Sequence, residues 1–224
     1  MKNQLSIAKF GGSLLDVEGK GVPKILKSIR ELKTADSTGP IAVFSAPTGC
    51  TDELIRIGET CAQANHSSVN SIFQIYENLA AQFVKGEQSE RARSELDFYK
   101  KHTEDALSRV NRRFSGNIKA KVLTYGGELA TASLMNCILQ SHGIESINLP
   151  TADWPIVTDD DFEDATPNYE LSLKRIDAFK KPLQEGKAIC MAGFFGVTSD
   201  GLETILGRGG SDLSAVFVSC LLTD

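Results

Sequence analysis

Four short segments carry residue types that can handle a phosphate and a small polar substrate. Lys9-Phe10-Gly11-Gly12-Ser13 closes an apolar run that starts at Gln4. Glycines let backbone N–H groups approach phosphate oxygens with no side chain in the way. A lysine at the strand end can neutralise charge on a transferring phosphoryl group. A strand-end lysine followed by a plain turn accounts for the same residues. Ser45-Ala46-Pro47-Thr48-Gly49-Cys50-Thr51-Asp52 offers hydroxyls to a polar substrate, and Thr51 or Asp52 also suits a helix cap. Tyr125-Gly126-Gly127-Glu128 sets a carboxylate at the start of a predicted helix. The macrodipole favours a negative group there, and so does recognition of a substrate ammonium group. Leu206-Gly207-Arg208-Gly209-Gly210-Ser211-Asp212 flanks an arginine with glycines and puts an aspartate at a predicted helix N-terminus. Arginine suits bidentate recognition of carboxylate or phosphate. A loop this rich in glycine is costly in backbone entropy, which favours a functional reading of it.

The elements that must position these segments alternate between strand and helix. Gln4–Phe10 and Ile41–Phe44 are short apolar runs, the pattern of strands covered on both faces. Ile144–Leu149 and Lys187–Ala192 are two further strands. Val22, Ile25, Leu26, Ile29 and Leu32 recur at helical spacing. From Asp52 to about Phe114 the pattern is mostly helical, with Val69, Ile72, Tyr76, Leu79 and Phe83 on one face and Leu96, Tyr99, Leu107 and Val110 on another. A break is expected over Gly86–Glu90. Gly126-Gly127-Glu128 opens an apolar helix, Leu129–Leu139, which Gly143 ends. Thr151–Pro167 is an irregular acidic connection, Tyr169–Leu183 a helix with Pro182 near its end, and Asp212–Leu222 a last helix. Strands alternating with helices predict an α/β fold with a mostly parallel sheet between two helical layers. Ligands of such sheets bind beyond the carboxyl ends of the strands, where all four segments fall.

The bulk composition narrows the function classes. The 224 residues are 41% hydrophobic and carry a formal net charge of −5, enough for one large domain. That balance gives no reason to expect nucleic acid or an anionic membrane as partner. No apolar run is long enough to span a bilayer, and no secretory leader is apparent at Met1–Phe10. The five cysteines are scattered in apolar segments with no paired spacing, so neither a disulfide framework nor a zinc site is expected. A cytoplasmic location follows. G-x-x-x-x-G-K-[ST] and G-x-G-x-x-G are both missing. His66, His102 and His142 read as packing residues rather than catalytic ones.

Taken in order, the segments resemble the amino acid kinase superfamily and, within it, the aspartate kinases. Lys9–Ser13 is similar to the family's opening KFGG-[ST] motif, and Ser45–Asp52 to S-A-x-x-G-x-T-[DN]. Gly127-Glu128-Leu129 resembles GEL, Gly193-Phe194-Phe195-Gly196 resembles G-F-x-G, and Leu206–Asp212 reads LGRGGSD. Leu14-Leu15 stands where these kinases more often have Ser-Val. The helical stretch of about residues 52–118 resembles the insertion of aspartate kinases.

The resemblance implies an ATP-dependent aspartate kinase, which moves the γ-phosphoryl of Mg2+-ATP onto the β-carboxylate of L-aspartate. Such a reaction opens the route to lysine, threonine and methionine. Lys9 is implied as the cation on the transferring phosphoryl group, with Gly11, Gly12, Ser13 and Gly210 near the phosphates. Asp212 is implied to hold Lys9. Arg208 and Gly209 would grip the α-carboxylate, Glu128 the α-ammonium group, and Ser45, Thr51 and Phe194 would line the aspartate pocket. No metal ligand among the side chains is implied. A homo-oligomer is expected. So is one catalytic domain over 1–224 that lacks the family's later adenine-holding strands, and is therefore inactive alone. The alternatives are a kinase of the superfamily with another substrate and a non-catalytic amino-acid-binding protein.

Overall fold

The computed structural model describes residues 5–35, 38–65 and 67–223; His66 and Gln4 lie outside them. Four parallel strands form the central sheet: β1 (Ile7–Phe10), β2 (Ile41–Phe44), β3 (Ser146–Asn148) and β4 (Ala188–Ala192), in the order β1-β2-β4-β3. Every residue of β2 and β4 is buried. A strand can be buried on both of its alternating faces only if helices cover both sides of the sheet, which gives the expected three-layer arrangement.

Helix α1 (Val22–Ala35) buries Val22, Ile25, Leu26 and Ile29, the stripe that the 3.6-residue period selects. Helices α2 (Cys50–Ala62), α3 (Asn70–Phe83) and α4 (Gln88–Leu107) follow β2. Their buried faces, Leu54 and Ile57, then Ile72, Phe73, Tyr76 and Leu79, then Leu96 and Tyr99, join one hydrophobic core with the sheet.

Several expectations needed correction. Gly126-Gly127 does not open a helix. Helix α5 (Gly116–Thr124) runs through a π-helical turn, Tyr125–Leu129, directly into α6 (Ala130–Ser141). The glycine pair reads as a breaker but serves close packing: a Cβ on Gly126 would lie 2.8 Å from a methyl carbon of Leu54. Thr51 and Asp52 are not caps, because α2 starts at Cys50 behind Gly49, whose φ of 79° is left-handed and which offers no side chain. Tyr169–Leu183 divides into α7 (Tyr169–Leu173) and α8 (Asp177–Gln184). The buried Ser172 hydroxyl bonds the backbone of Val157, which draws the chain inward where a continuous helix would leave the surface free.

The sequence pattern also conceals an antiparallel hairpin, β5 (Phe195–Val197) with β6 (Glu203–Ile205), because each strand has only three residues. It is anchored by Trp154 from the connection after β3. The indole is fully buried, lies 4.6 Å from the Phe195 ring centroid, and donates its N–H to the Phe195 carbonyl at 3.0 Å. Helix α9 (Gly210–Thr223) then returns to pack on β1 and β2.

Trp154→Ala removes the largest fully buried side chain and leaves the Phe195 carbonyl without its donor. It is expected to cost about 3–5 kcal/mol, seen as a lower urea midpoint in circular dichroism. An unchanged midpoint would contradict the anchoring role.

Candidate active site

The register of the sheet sets the site. Phe10 pairs with Phe44, and Phe44 with Ala192, so β1, β2 and β4 end level and side by side. The first loop leaves β1, the second leaves β2 and the Gly193-Phe194 turn leaves β4, all at the carboxyl edge where open sheets bind ligands. The hairpin brings the fourth loop to the same edge, with the Leu206 N–H donating to the Phe194 carbonyl at 3.0 Å. The π-helical turn supplies the remaining wall.

These pieces enclose a cavity of about 300 Å³. Nine of the sequence-nominated residues line it: Lys9, Ser45, Thr51, Glu128, Phe194, Arg208, Gly209, Gly210 and Asp212. Gly11, Gly12 and Ser13 do not. A Cβ on Gly11 would sit 3.7 Å from Lys9 Nζ, so that residue borders the cavity. A Cβ on Gly12 would come within 2.3 Å of the Ala46 carbonyl oxygen, so Gly12 lets the first two loops touch. Ser13 is exposed in a 3-10 turn, Gly12–Leu14. Ala46, Gly207 and Ser211 also line the cavity and were not nominated. Ala46 acts through its backbone, which no side-chain motif announces.

Glu128 is the buried charge of the site. Its Oε1 accepts the Ala46 N–H at 3.2 Å, whereas its Oε2 is buried without a hydrogen-bond partner. Burial pushes its pKa up to about 7 against the partial relief of backbone N–H groups, chiefly that of Ala46. The helix-dipole account of Glu128 fails, since it stands in mid-helix. What the carboxylate lacks is a donor or cation inside the cavity.

The other charged groups that line the cavity are more open. Lys9 Nζ lies 3.1 Å from Asp212 Oδ1 and 3.3 Å from Oδ2, with the Asp212 side chain 69% exposed. Arg208 is exposed and makes no side-chain hydrogen bond or ion pair among the described residues. Phe194 holds a left-handed φ of 63°. A bulky residue there costs about 1–3 kcal/mol and persists only when its neighbours fix it. Ser214 Oγ accepts its N–H at 3.0 Å, and its carbonyl takes the Leu206 N–H.

At the carboxyl edge of the parallel sheet, the cavity combines a lysine and an arginine from loops that follow strands with a buried carboxylate from the π-helical turn. Residues 4–223 match the amino acid kinase family, and the chain belongs to it. It is an aspartokinase-like amino acid kinase domain. The bifunctional aspartokinase/homoserine dehydrogenase of Buchnera aphidicola is 27% identical over 228 residues, covering 97% of this chain and 27% of that protein. The aspartokinase of Chlamydia trachomatis is 28% identical over 212 residues, covering 95% of this chain and 45% of that protein. Escherichia coli aspartokinase III, solved in complex with aspartate and ADP, superposes with a TM-score of 0.83 at 20% identity, over 98% of this chain and 47% of that one. The chain thus spans less than half the length of each. Among the described residues no helix is long and apolar enough to cross a membrane.

The raised pKa of Glu128 has a sign that can be measured. The folded chain keeps the proton until about pH 7, whereas the unfolded chain releases it near 4.5. Stability from this group is therefore full below pH 4.5 and is lost as pH rises through 7, by about 3 kcal/mol at most. Glu128→Gln should abolish that decline and be the more stable protein at pH 8, as read from urea unfolding at pH 5 and pH 8. Parallel pH dependence of the two proteins would refute it.

Proposed function

We propose that this chain carries the amino-acid and phosphoryl-transfer part of an aspartate kinase site, for transfer of the γ-phosphoryl of ATP to the β-carboxylate of L-aspartate. The observation that carries the reading is the buried Glu128 Oε2, unpartnered in a cavity that Arg208 and Lys9 also line. A free α-amino acid has the complementary charges. Its ammonium group supplies the donors that Glu128 lacks, and by Coulombic attraction holds Glu128 ionised at neutral pH. Arg208 and the Gly209 backbone receive the α-carboxylate. Ser45, Thr51 and the Phe194 ring fix the side chain between them.

The β-carboxylate then faces Lys9. It is ionised at neutral pH and needs no general base, so the site has to position two anions and neutralise their charge. Lys9 can do this because Asp212 steers its ammonium group without burying it. Gly11 borders that ammonium group and Gly210 lines the cavity; with Gly12 and Ser13, which follow in the first loop, they would receive the phosphates. Among the described residues no cluster of three His, Cys, Asp or Glu side chains can cage a metal. This donor set fits a Mg2+ carried on the nucleotide's phosphates, with Asp212 as the exposed carboxylate, since Mg2+ keeps waters and phosphate ligands. When bound, Mg2+ supplies charge neutralisation on the β- and γ-phosphates. We place the reaction in the cytoplasm, in an oligomer, with residues 1–224 forming the substrate part of the catalytic domain and about 52–118 its helical insertion. The adenosine-holding part would come from chain beyond these residues.

Hydroxylamine trapping of the acyl phosphate tests this, on the chain alone and on the product of its complete reading frame. Aspartyl hydroxamate from the longer protein, with little or none from residues 1–224, is expected. In the longer protein Arg208→Ala should raise the KM for aspartate by roughly tenfold to a hundredfold, the value of lost charge-assisted hydrogen bonds. No hydroxamate from a folded, ATP-binding longer protein would remove the aspartate assignment.

A further inference from the structure

Glu128 hangs from a helical turn of unusual width, and something outside the cavity must hold that turn open. In a π-helical turn the backbone carbonyls lose regular α-helical partners, and an unpaired buried carbonyl is costly. The carbonyls of Gly126 and Gly127, the two residues before Glu128, take side-chain donors here, and that of Gly127 also accepts the Ala130 N–H. Tyr76, fully buried on α3, brings its hydroxyl to 2.9 Å from both, its single proton shared between them. Two companions complete the set. Thr131 Oγ1 donates to the Gly127 carbonyl at 2.9 Å, and the Cys50 thiol to that of Gly126 at 3.5 Å. None of Tyr76, Thr131 and Cys50 lines the cavity.

We propose that Tyr76 is a positioning residue for substrate binding, its hydroxyl locking the Gly126 and Gly127 carbonyls so that the π-helical turn aims Glu128 Oε2 into the cavity. The glycines make the lock possible. With no Cβ at Gly127 the turn approaches Ala46 (an added one would be 3.3 Å from the Ala46 methyl), and Glu128 Oε1 reaches the Ala46 N–H from there. Burial holds the Tyr76 phenol well above its ordinary pKa and the Cys50 thiol at about 12, so both stay protonated. The ionisable groups around Glu128 are Cys50 from α2 and Tyr76 from α3, which feel its charge, and Lys9, Arg208 and Asp212, which line the same cavity. A phenol at this spot could have been a packing residue alone, but the neighbouring Ile72, Phe73 and Leu79 pack the same face of α3 without any polar atom.

The substrate half of this inference rests on Glu128 receiving an ammonium group; the positioning half does not. Two readouts separate them: the carboxyl titration of Glu128 by carbon NMR in the ligand-free chain, and calorimetric binding of L-aspartate. Tyr76→Phe should let the turn relax and water reach Glu128, moving its titration down towards ordinary carboxylates. It should also weaken aspartate about tenfold, the worth of one buried hydrogen bond. Thr131→Val, which removes the companion donor at near-constant volume, should move both in the same direction by less, and serves if Tyr76→Phe does not fold. Ile72→Val, a packing loss on the same helix, should move neither. An unchanged Glu128 titration in Tyr76→Phe and Thr131→Val, or an equal change in Ile72→Val, would overturn the proposal. If the wild-type protein binds no aspartate, the ammonium reading fails while the titration still decides the role of Tyr76.

Discussion

A carboxylate in the interior must have a proton, a cation or a hydrogen-bond donor for each oxygen, and Glu128 has a protein donor for only one of them. The rest of the site is arranged around this deficit. The second loop supplies the Ala46 amide, the π-helical turn supplies the aim, and the cavity leaves room for a donor from outside. A carboxylate two positions earlier, at Gly126, would meet Leu54 and Thr103, which crowd the helix there, and would be an unpaired charge in an apolar core. The deficit is tolerable only at the cavity wall, where a ligand can remove it.

The sheet explains how distant segments meet there. Three strands that end in register place three loops side by side, but the fourth loop follows no strand of that sheet. It reaches the edge because the β5–β6 hairpin folds back on Phe194, and the hairpin is held by Trp154. Arg208 therefore depends on an indole ring in a connection that carries no chemistry. The strained backbone of Phe194 lies at the joint between β4 and this hairpin, where the chain must reverse at once to keep the fourth loop over the strand ends.

Much of this could be read from residue order. Continuous apolar runs announced β2 and β4, the helical period announced the buried face of α1, and glycine-rich segments after strands announced the loops. The misreadings share one physical source, which is that short-range patterns do not record long-range contacts. Gly126-Gly127 is a breaker by composition and a packing surface in the fold, because Leu54 and Ala46 need the space of a Cβ. Tyr76 counted as one apolar position among five, since periodicity registers its ring and not its hydroxyl. Ala46 has no side-chain chemistry to notice, yet its N–H is the protein donor on Glu128 Oε1. The hairpin was missed because strands of three residues carry too few alternations to stand out.

The cavity divides its charges by solvent exposure. Glu128 is 4% exposed, whereas the Asp212 side chain is 69% exposed and Arg208 lies open. A buried carboxylate discriminates strongly, because any ligand without a cation leaves it unpaired in low dielectric. The exposed Lys9–Asp212 pair has little energy of its own in water. It gains strength when two anions close over it and exclude solvent. On the proposed reading, recognition of the amino acid is built into the core, and charge neutralisation is held at the rim, where it costs little to keep ready.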